Sequence, residues 1–180
     1  MRRLMLLRHA KTETDAPSGR DQDRRLDERG HQDAAEIGDF IAGHPLAPEL
    51  VLVSTAVRAQ QTWELAWAAM QDRVAAPRVE SVPELYAAEA MQILHQIRLA
   101  AAPDPKVLLV VGHNPGLHEL ALALTGQGDA DGRHELARNM PTAALAVLDF
   151  ASDDWTDVSF TRGDLRMFVT PKLLKHGSVD

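Results

Sequence analysis

Cysteine is absent from this chain. That excludes disulfides, cysteine-ligated zinc, iron–sulfur centres and every thiolate-based mechanism, so covalent chemistry needs another nucleophile. An excess of basic charge is missing too. Asp and Glu number 26 against 19 Lys and Arg, giving a formal net charge of -7 and a pI near 5.6. A broad basic face for nucleic acid is excluded on that count, and any local gathering of cations becomes a sign of a specific anion. Long apolar runs are also lacking. Met1-Arg2-Arg3 feeds a short apolar stretch with charge directly behind it, which is neither a secretory signal nor a membrane span. The expectation is a cytoplasmic protein with no membrane partner. No internal repeat, low-complexity segment or linker divides the 180 residues, which predicts one domain over 1–180. The sequence carries no signal of oligomeric state.

What is present is a set of short apolar runs, each ending abruptly in polar chemistry. Leu4 to Leu7 is too short for a helix and right for a buried strand, and it stops at Arg8-His9. A long loop, Ala10 to Leu26, follows; such length in a compact domain points to function or disorder. Asp27 then caps a predicted helix from Glu28 to Ala42, with Ala34, Ile37, Phe40 and Ile41 on one face and Gly30 where another backbone comes close. Leu50 to Ser54 reads as a second strand, opening into a helix with Thr55 as its N-cap and Arg58 in its first turn. A cation there opposes the helix dipole, a conflict that a bound anion would resolve.

Arg78 to Val82 reads as an edge strand, followed by Pro83-Glu84-Leu85-Tyr86 and a helix from Ala88 to Ala101. Val107 to Val111 is the most apolar strand. It runs into Gly112-His113-Asn114-Pro115-Gly116, with Asn114 as N-cap and Pro115 as first residue of a helix to Leu124. Between Thr125 and Met140 only a short helical piece, His134 to Arg138, is expected. Ala143 to Phe150 reads as a strand, and Trp155 to Phe160 with Leu165 to Val169 as a terminal antiparallel pair. Pro171 ends the pattern, leaving 171–180 as a loose tail. The fold class is α/β.

Arg8 with His9, Arg58 and His113 thus all follow apolar strands. In a parallel sheet the carboxyl ends share one edge, where ligands bind, so these four residues converge. Two guanidiniums and two imidazoles form a cradle for a dianion, and arginine suits it because its planar fork engages two phosphate oxygens at once.

The segments Leu7-Arg8-His9-Ala10, Ser54-Thr55-Ala56-Val57-Arg58-Ala59 and Gly112-His113-Asn114 resemble the three signature segments of the histidine phosphatase superfamily, which includes cofactor-dependent phosphoglycerate mutases and acid phosphatases. The short chain, the alanine after the histidine, Gly-His-Asn-Pro-Gly, Ala143–Phe150 and Phe168-Val169-Thr170-Pro171-Lys172 resemble its SixA-type phosphohistidine phosphatases. The resemblance implies a three-layer α/β/α, phosphoglycerate mutase-like fold with a mostly parallel central sheet. It implies that His9 attacks phosphorus in line and becomes a phosphohistidine. Arg8, Arg58 and His113 would hold the phosphoryl oxygens, with no metal and no cofactor. Many members of the superfamily use a carboxylate as general acid; Glu84 is the nearest match, with Glu89 a second candidate. A structural role for Glu84 as a turn residue is the competing reading, and surface solvation is the competing reading for Lys11, Arg20, Arg24 and Arg25. The implied substrate is phosphohistidine on another protein. Two alternatives stand beside it: a small phosphomonoester in the same pocket, or a phosphate-binding domain without turnover. Mutase activity is disfavoured, since it needs an enclosing pocket.

Overall fold

A computed structural model of the chain describes residues 1–177. Its centre is a seven-stranded sheet in the order β3-β2-β4-β1-β6-β7-β5. The strands are β1 (Arg2–Arg8), β2 (Leu50–Ser54), β3 (Arg78–Val82), β4 (Val107–Gly112), β5 (Thr125–Gly128), β6 (Leu145–Phe150) and β7 (Gly163–Val169). Six strands run one way and β6 runs against them. The helices are α1 (Glu28–Ala42), α2 (Val57–Met70), α3 (Ala90–Leu99), α4 (Gly116–Leu124), α5 (Ala130–Arg138) and α6 (Pro171–Lys175). Among the described residues no helix is long and apolar enough to cross a membrane.

The apolar runs are explained by burial on both faces. Along β1, Leu4 and Leu6 point to a core shared with Leu94, Ile97, Leu117 and Leu120 of α3 and α4. Met5 and Leu7 point the other way, to a core shared with Ile37, Phe40, Trp63 and Ala66 of α1 and α2. The result is three layers. Gly30 and Gly38 permit close approaches to α1: a Cβ would overlap the Lys11 carbonyl at the first and the Ala66 backbone at the second.

This layering opens the site. Strands β1 and β4 are parallel neighbours, pairing Arg8 with Gly112 at their carboxyl ends. The chain leaving β1 goes to α1 on one face, and the chain leaving β4 goes to α4 on the other. Diverging connections between adjacent strands leave a crevice at that edge. Strand β2 lies on the other side of β4, with Val53 opposite Val111, so its carboxyl end reaches the same level.

Several expectations are corrected. Helix α2 starts at Val57 with Ala56 as its N-cap; Thr55 instead accepts a hydrogen bond from Gln22 (3.1 Å). Helix α4 starts at Gly116 with Pro115 as its cap, and Asn114 reaches past it to accept from the His118 amide (3.2 Å). Helix α3 is shorter than expected because Glu89 forms a capping box with Gln92. Between 125 and 140 the structure has both β5 and α5, the latter capped by Asp129. Trp155 to Phe160 is not a strand. Trp155 lies in a short 3-10 turn, fully buried, its indole donating to the Pro105 carbonyl (2.6 Å). Strand β7 therefore pairs with β6 and β5. Pro171 begins helix α6 rather than ending order: Thr170 caps it and Lys175 pairs with the buried Asp33 carboxylate (3.2 Å). Residues 178–180 of the expected loose tail lie outside the described residues.

Candidate active site

Strand β1 delivers Arg8 and His9 to the crevice. The His9 ring is 7% exposed, and its Nδ1 lies 2.8 Å from the Ala10 carbonyl oxygen. A carbonyl only accepts, so Nδ1 carries the proton and Nε2 keeps its lone pair. Burial pushes the His9 imidazole down to about 3; the neighbouring His113, Arg58 and Arg8 push the same way, against the Ala10 hydrogen bond. The ring is therefore neutral and nucleophilic at physiological pH. Its backbone is braced on both sides. The His9 amide donates to the Gly112 carbonyl (3.1 Å), and the Ala10 amide donates to Thr62 Oγ1 (3.0 Å) in α2.

His113 follows β4, its ring centroid 5.3 Å from that of His9. Its Nε2 is 2.7 Å from Ser54 Oγ at the end of β2. Ser54 Oγ already accepts from the Ala56 amide (3.3 Å), leaving its proton free to donate to Nε2. When Ser54 donates to Nε2, the His113 proton lies on Nδ1, an atom buried without a hydrogen-bond partner among the described residues. Burial pushes His113 down to about 4, with Arg58 lowering it further and Asp21 opposing.

Arg8 anchors one terminal nitrogen on the Met140 carbonyl (3.1 Å), which also accepts from Asn114 (2.8 Å). Ala143, held at a left-handed φ of 60°, bends that segment against the strand end, where its amide donates to the Arg8 and His9 carbonyls. Arg58, 6% exposed in the first turn of α2, gives both terminal nitrogens to Asp21. Three buried nitrogens lack a hydrogen-bond partner among the described residues: Arg8 Nε, Arg58 Nε and His113 Nδ1. Buried donors are seldom left unpaired in folded proteins, and three belonging to one crevice fit an oxyanion with several oxygens.

Of the predicted site residues, the structure brings Arg8, His9, Arg58 and His113 together. Glu84 is not among the residues that line the cavity beside them. Pro83 starts a short 3-10 turn, and Glu84 on that turn is exposed. This cavity of about 540 Å³ beside Arg58 and His113 is lined by Asp21, Tyr86, Glu89 and Glu119, so of the two candidate carboxylates, both exposed, it is Glu89 that lines the cavity. Of the loop cations only Arg24 reaches the site, through Asp21 (3.0 Å). Lys11 faces Asp27, Arg20 faces Asp23 and Arg25 faces Glu13. Asp21 and Tyr86 are the residues that sequence reasoning missed. Tyr86 donates to Asp21 Oδ2 (2.8 Å) and meets His113 edge-on at a 5.8 Å centroid distance. The only sequence signal for Asp21 was the unusual length of its loop.

A pH dependence follows from the two imidazoles. Each titrates lower in the folded protein than at the ordinary value of 6.5, so below that value the unfolded chain binds more protons. Stability then falls as pH drops from 6.5 towards about 4, by ~2 kcal/mol per imidazole at pH 5. Urea midpoints at pH 8 and pH 5 measure this. The gap is expected to shrink in a His9→Gln, His113→Gln double variant, and an undiminished gap contradicts the assignment.

Comparison with known proteins accords with this geometry. The family model of the histidine phosphatase superfamily (branch 1) matches residues 4–74. The solved structure of the candidate phosphohistidine phosphatase SixA from Agrobacterium tumefaciens is 34% identical, over 94% of this chain and 98% of that one, with a TM-score of 0.77. This chain belongs to the histidine phosphatase superfamily. Within the superfamily it is of SixA type. A second candidate phosphohistidine phosphatase SixA, from Nakamurella multipartitia, is 28% identical over 94% of this chain and 96% of that one, with a TM-score of 0.80. An uncharacterised protein of Mycobacterium leprae is 32% identical over 92% of this chain and its own full length. The histidine phosphatase chain is therefore matched well beyond the segment that the family model covers. Family and neighbours together support a phosphatase.

Proposed function

We propose that this protein removes phosphoryl groups from phosphohistidine on other proteins. The observation that carries the reading is the neutral His9 with its bare Nε2, set in a crevice with three unpartnered donors. Nε2 attacks phosphorus, forming a P–N bond as the bond to the substrate's imidazole breaks. The substrate imidazole enters protonated on its other ring nitrogen, so when the P–N bond breaks it takes the bonding pair and departs as neutral imidazole. Water then attacks phosphorus, breaks the bond to Nε2 and releases inorganic phosphate. Arg8, Arg58 and His113 supply the positioning and charge stabilisation that dominate phosphoryl transfer.

The cavity walls bear on the leaving group. Glu89 and Glu119 put two carboxylates beside the cations. They disfavour leaving groups that bring a second anionic centre, such as nucleotides or phosphorylated acids, and tolerate a neutral or protonated imidazole. A departing imidazole also asks less of a general acid than an alkoxide does. The second reading, a small uncharged phosphomonoester, draws support from the cavity itself, whose 540 Å³ is ample for such a ligand.

Hydrolysis of a phosphohistidine protein and of para-nitrophenyl phosphate, side by side, tests the choice. Wild type is expected to prefer phosphohistidine, with Glu84→Gln at wild-type rates on both and Glu89→Gln impaired ~10–100-fold on the ester alone. Preference for the ester together with a crippled Glu89→Gln variant would establish the small-molecule reading. A crippled Glu84→Gln variant would restore Glu84 as the acid.

A further inference from the structure

The loop between β1 and α1 is long, and its short 3-10 helix, Asp21–Asp23, comes down on the catalytic crevice. Asp21 is the hub there. Its backbone carbonyl accepts from Arg58 Nη1 (2.9 Å), its Oδ2 from Arg58 Nη2 (3.0 Å) and Tyr86 Oη (2.8 Å), and its Oδ1 from Arg24 Nε (3.0 Å). The Asp21 side chain is 52% exposed, whereas that of Arg58 is 7% exposed. A half-exposed ion pair adds little to stability. A carboxylate at a phosphate pocket also works against anion binding by its charge. Some benefit must therefore be geometric.

Arg58 shows what that benefit is. A guanidinium presents its donors in a rigid fork, so fixing both terminal nitrogens fixes the direction of Nε. Asp21 takes both terminal nitrogens, and Arg58 Nε is the atom left buried and without a partner. The carboxylate also offsets a cation placed in the first turn of α2, where the helix dipole disfavours it.

We propose that Asp21, braced by Tyr86 and Arg24, is a positioning residue that holds Arg58 with Nε presented to the transferring phosphoryl group. The proposal rests on reading the crevice as a phosphoryl-transfer site and adds a role for the loop. Asp21 makes no contact with the phosphoryl group; it acts through Arg58. The competing idea is that Asp21 is a plug, an internal anion that the substrate must displace from Arg58. The two ideas predict opposite signs.

A direct probe of the contact exists because Tyr86 is the chain's single tyrosine. Its phenol is raised above the ordinary value, chiefly by the hydrogen bond to Asp21. Absorbance at alkaline pH, or one labelled-tyrosine resonance, follows that group alone.

The experiment compares wild type, Asp21→Ala, Asp21→Asn and Tyr86→Phe for tungstate affinity, para-nitrophenyl phosphate kinetics and tyrosine titration. Asp21→Ala is expected to weaken tungstate binding ~10-fold and to lower kcat ~10–100-fold, with KM rising less, the scale of a misplaced catalytic group. Asp21→Asn should fall between, because an amide oxygen can still accept, and Tyr86→Phe should show a smaller loss in the same direction. The tyrosine midpoint should drop in both Asp21 variants. Tighter tungstate binding with a lower KM in Asp21→Ala overturns the proposal in favour of a plug. Wild-type kinetics in that variant, or an unmoved tyrosine midpoint, also overturns it. If wild type turns over no phosphoryl compound, the functional reading fails. Tungstate affinity then decides the positioning role by itself: weaker binding in Asp21→Ala supports it, and equal or tighter binding refutes it.

Discussion

His9→Ala is expected to lower phosphatase turnover by ~10⁴-fold or more and to abolish the acid-labile phosphoenzyme. The expectation rests on the tautomer. With the Nδ1 proton committed to the Ala10 carbonyl, Nε2 is a lone pair at every pH above the depressed titration point of the ring, about 3. No other group in the crevice can replace it. The arginines are cations, and His113 has its Nε2 engaged by Ser54, leaving an Nδ1 that the crevice turns into a donor. Tungstate should still bind His9→Ala, because the three unpartnered donors survive the substitution. Rapid quench at alkaline pH, which preserves a P–N bond, measures the intermediate. Full turnover by His9→Ala would exclude the covalent route; turnover lost with tungstate affinity kept would separate nucleophile from cradle. The neutral ring also predicts a rate that holds steady down to pH 5, where an ordinary histidine is protonated and inert.

How much of this was legible in the sequence depends on what each residue reports. Leu4–Leu7, Leu50–Val53 and Val107–Val111 were legible as strands because helices cover both faces of the sheet, and two-sided burial leaves an unbroken apolar run. Arg8, His9, Arg58 and His113 were legible because each lies within a few residues of the end of such a run, and strand ends in a parallel sheet share an edge. The failures have equally local causes. Trp155, Val158 and Phe160 imitate a strand, but Trp155 and Val158 are fully buried while Phe160 is 46% exposed, so no common face exists. Strand β5, Thr-Gly-Gln-Gly, has no apolar signal because its place at the sheet edge depends on glycine. A Cβ at Gly126 or Gly128 would overlap the Thr161 or Leu165 backbone. The sequence ranked Glu84 ahead of Glu89, but spacing does not show which of the two lines the cavity. Glu84 sits on the 3-10 turn begun by Pro83, and after Ala87, at a φ of 54°, Glu89 caps α3 and lines the cavity, although both side chains are exposed. Asp21 was illegible because its partners, Arg58 and Tyr86, lie 37 and 65 residues away and its loop has no periodicity.

Arg58→Lys should be nearly as damaging as Arg58→Ala, although it keeps the charge. Arg58 has two jobs: its terminal nitrogens hold Asp21, and its Nε is left for an oxyanion. Lysine has one nitrogen on a flexible stem and must choose between the Asp21 carboxylate and the phosphoryl group. Asp21 is always present and the phosphoryl group is not, so in the resting enzyme the ammonium sits on Asp21. Losing one preorganised donor to a developing oxyanion costs ~10²–10³ in kcat, and that range is expected for Arg58→Ala, with Arg58→Lys within ~10-fold of it. Stability should barely move, since Asp21 keeps Arg24 and Tyr86 and is half exposed. Adding Asp21→Ala to Arg58→Lys frees the lysine from its competitor. The double variant should then recover part of the lost rate, although Asp21→Ala alone lowers it. Non-additivity of that sign, read from a double-mutant cycle in kcat with thermal midpoints as the folding control, follows from a shared contact. Simple additivity would mean that Asp21 and Arg58 act independently, and that the geometry linking them has no part in the reaction.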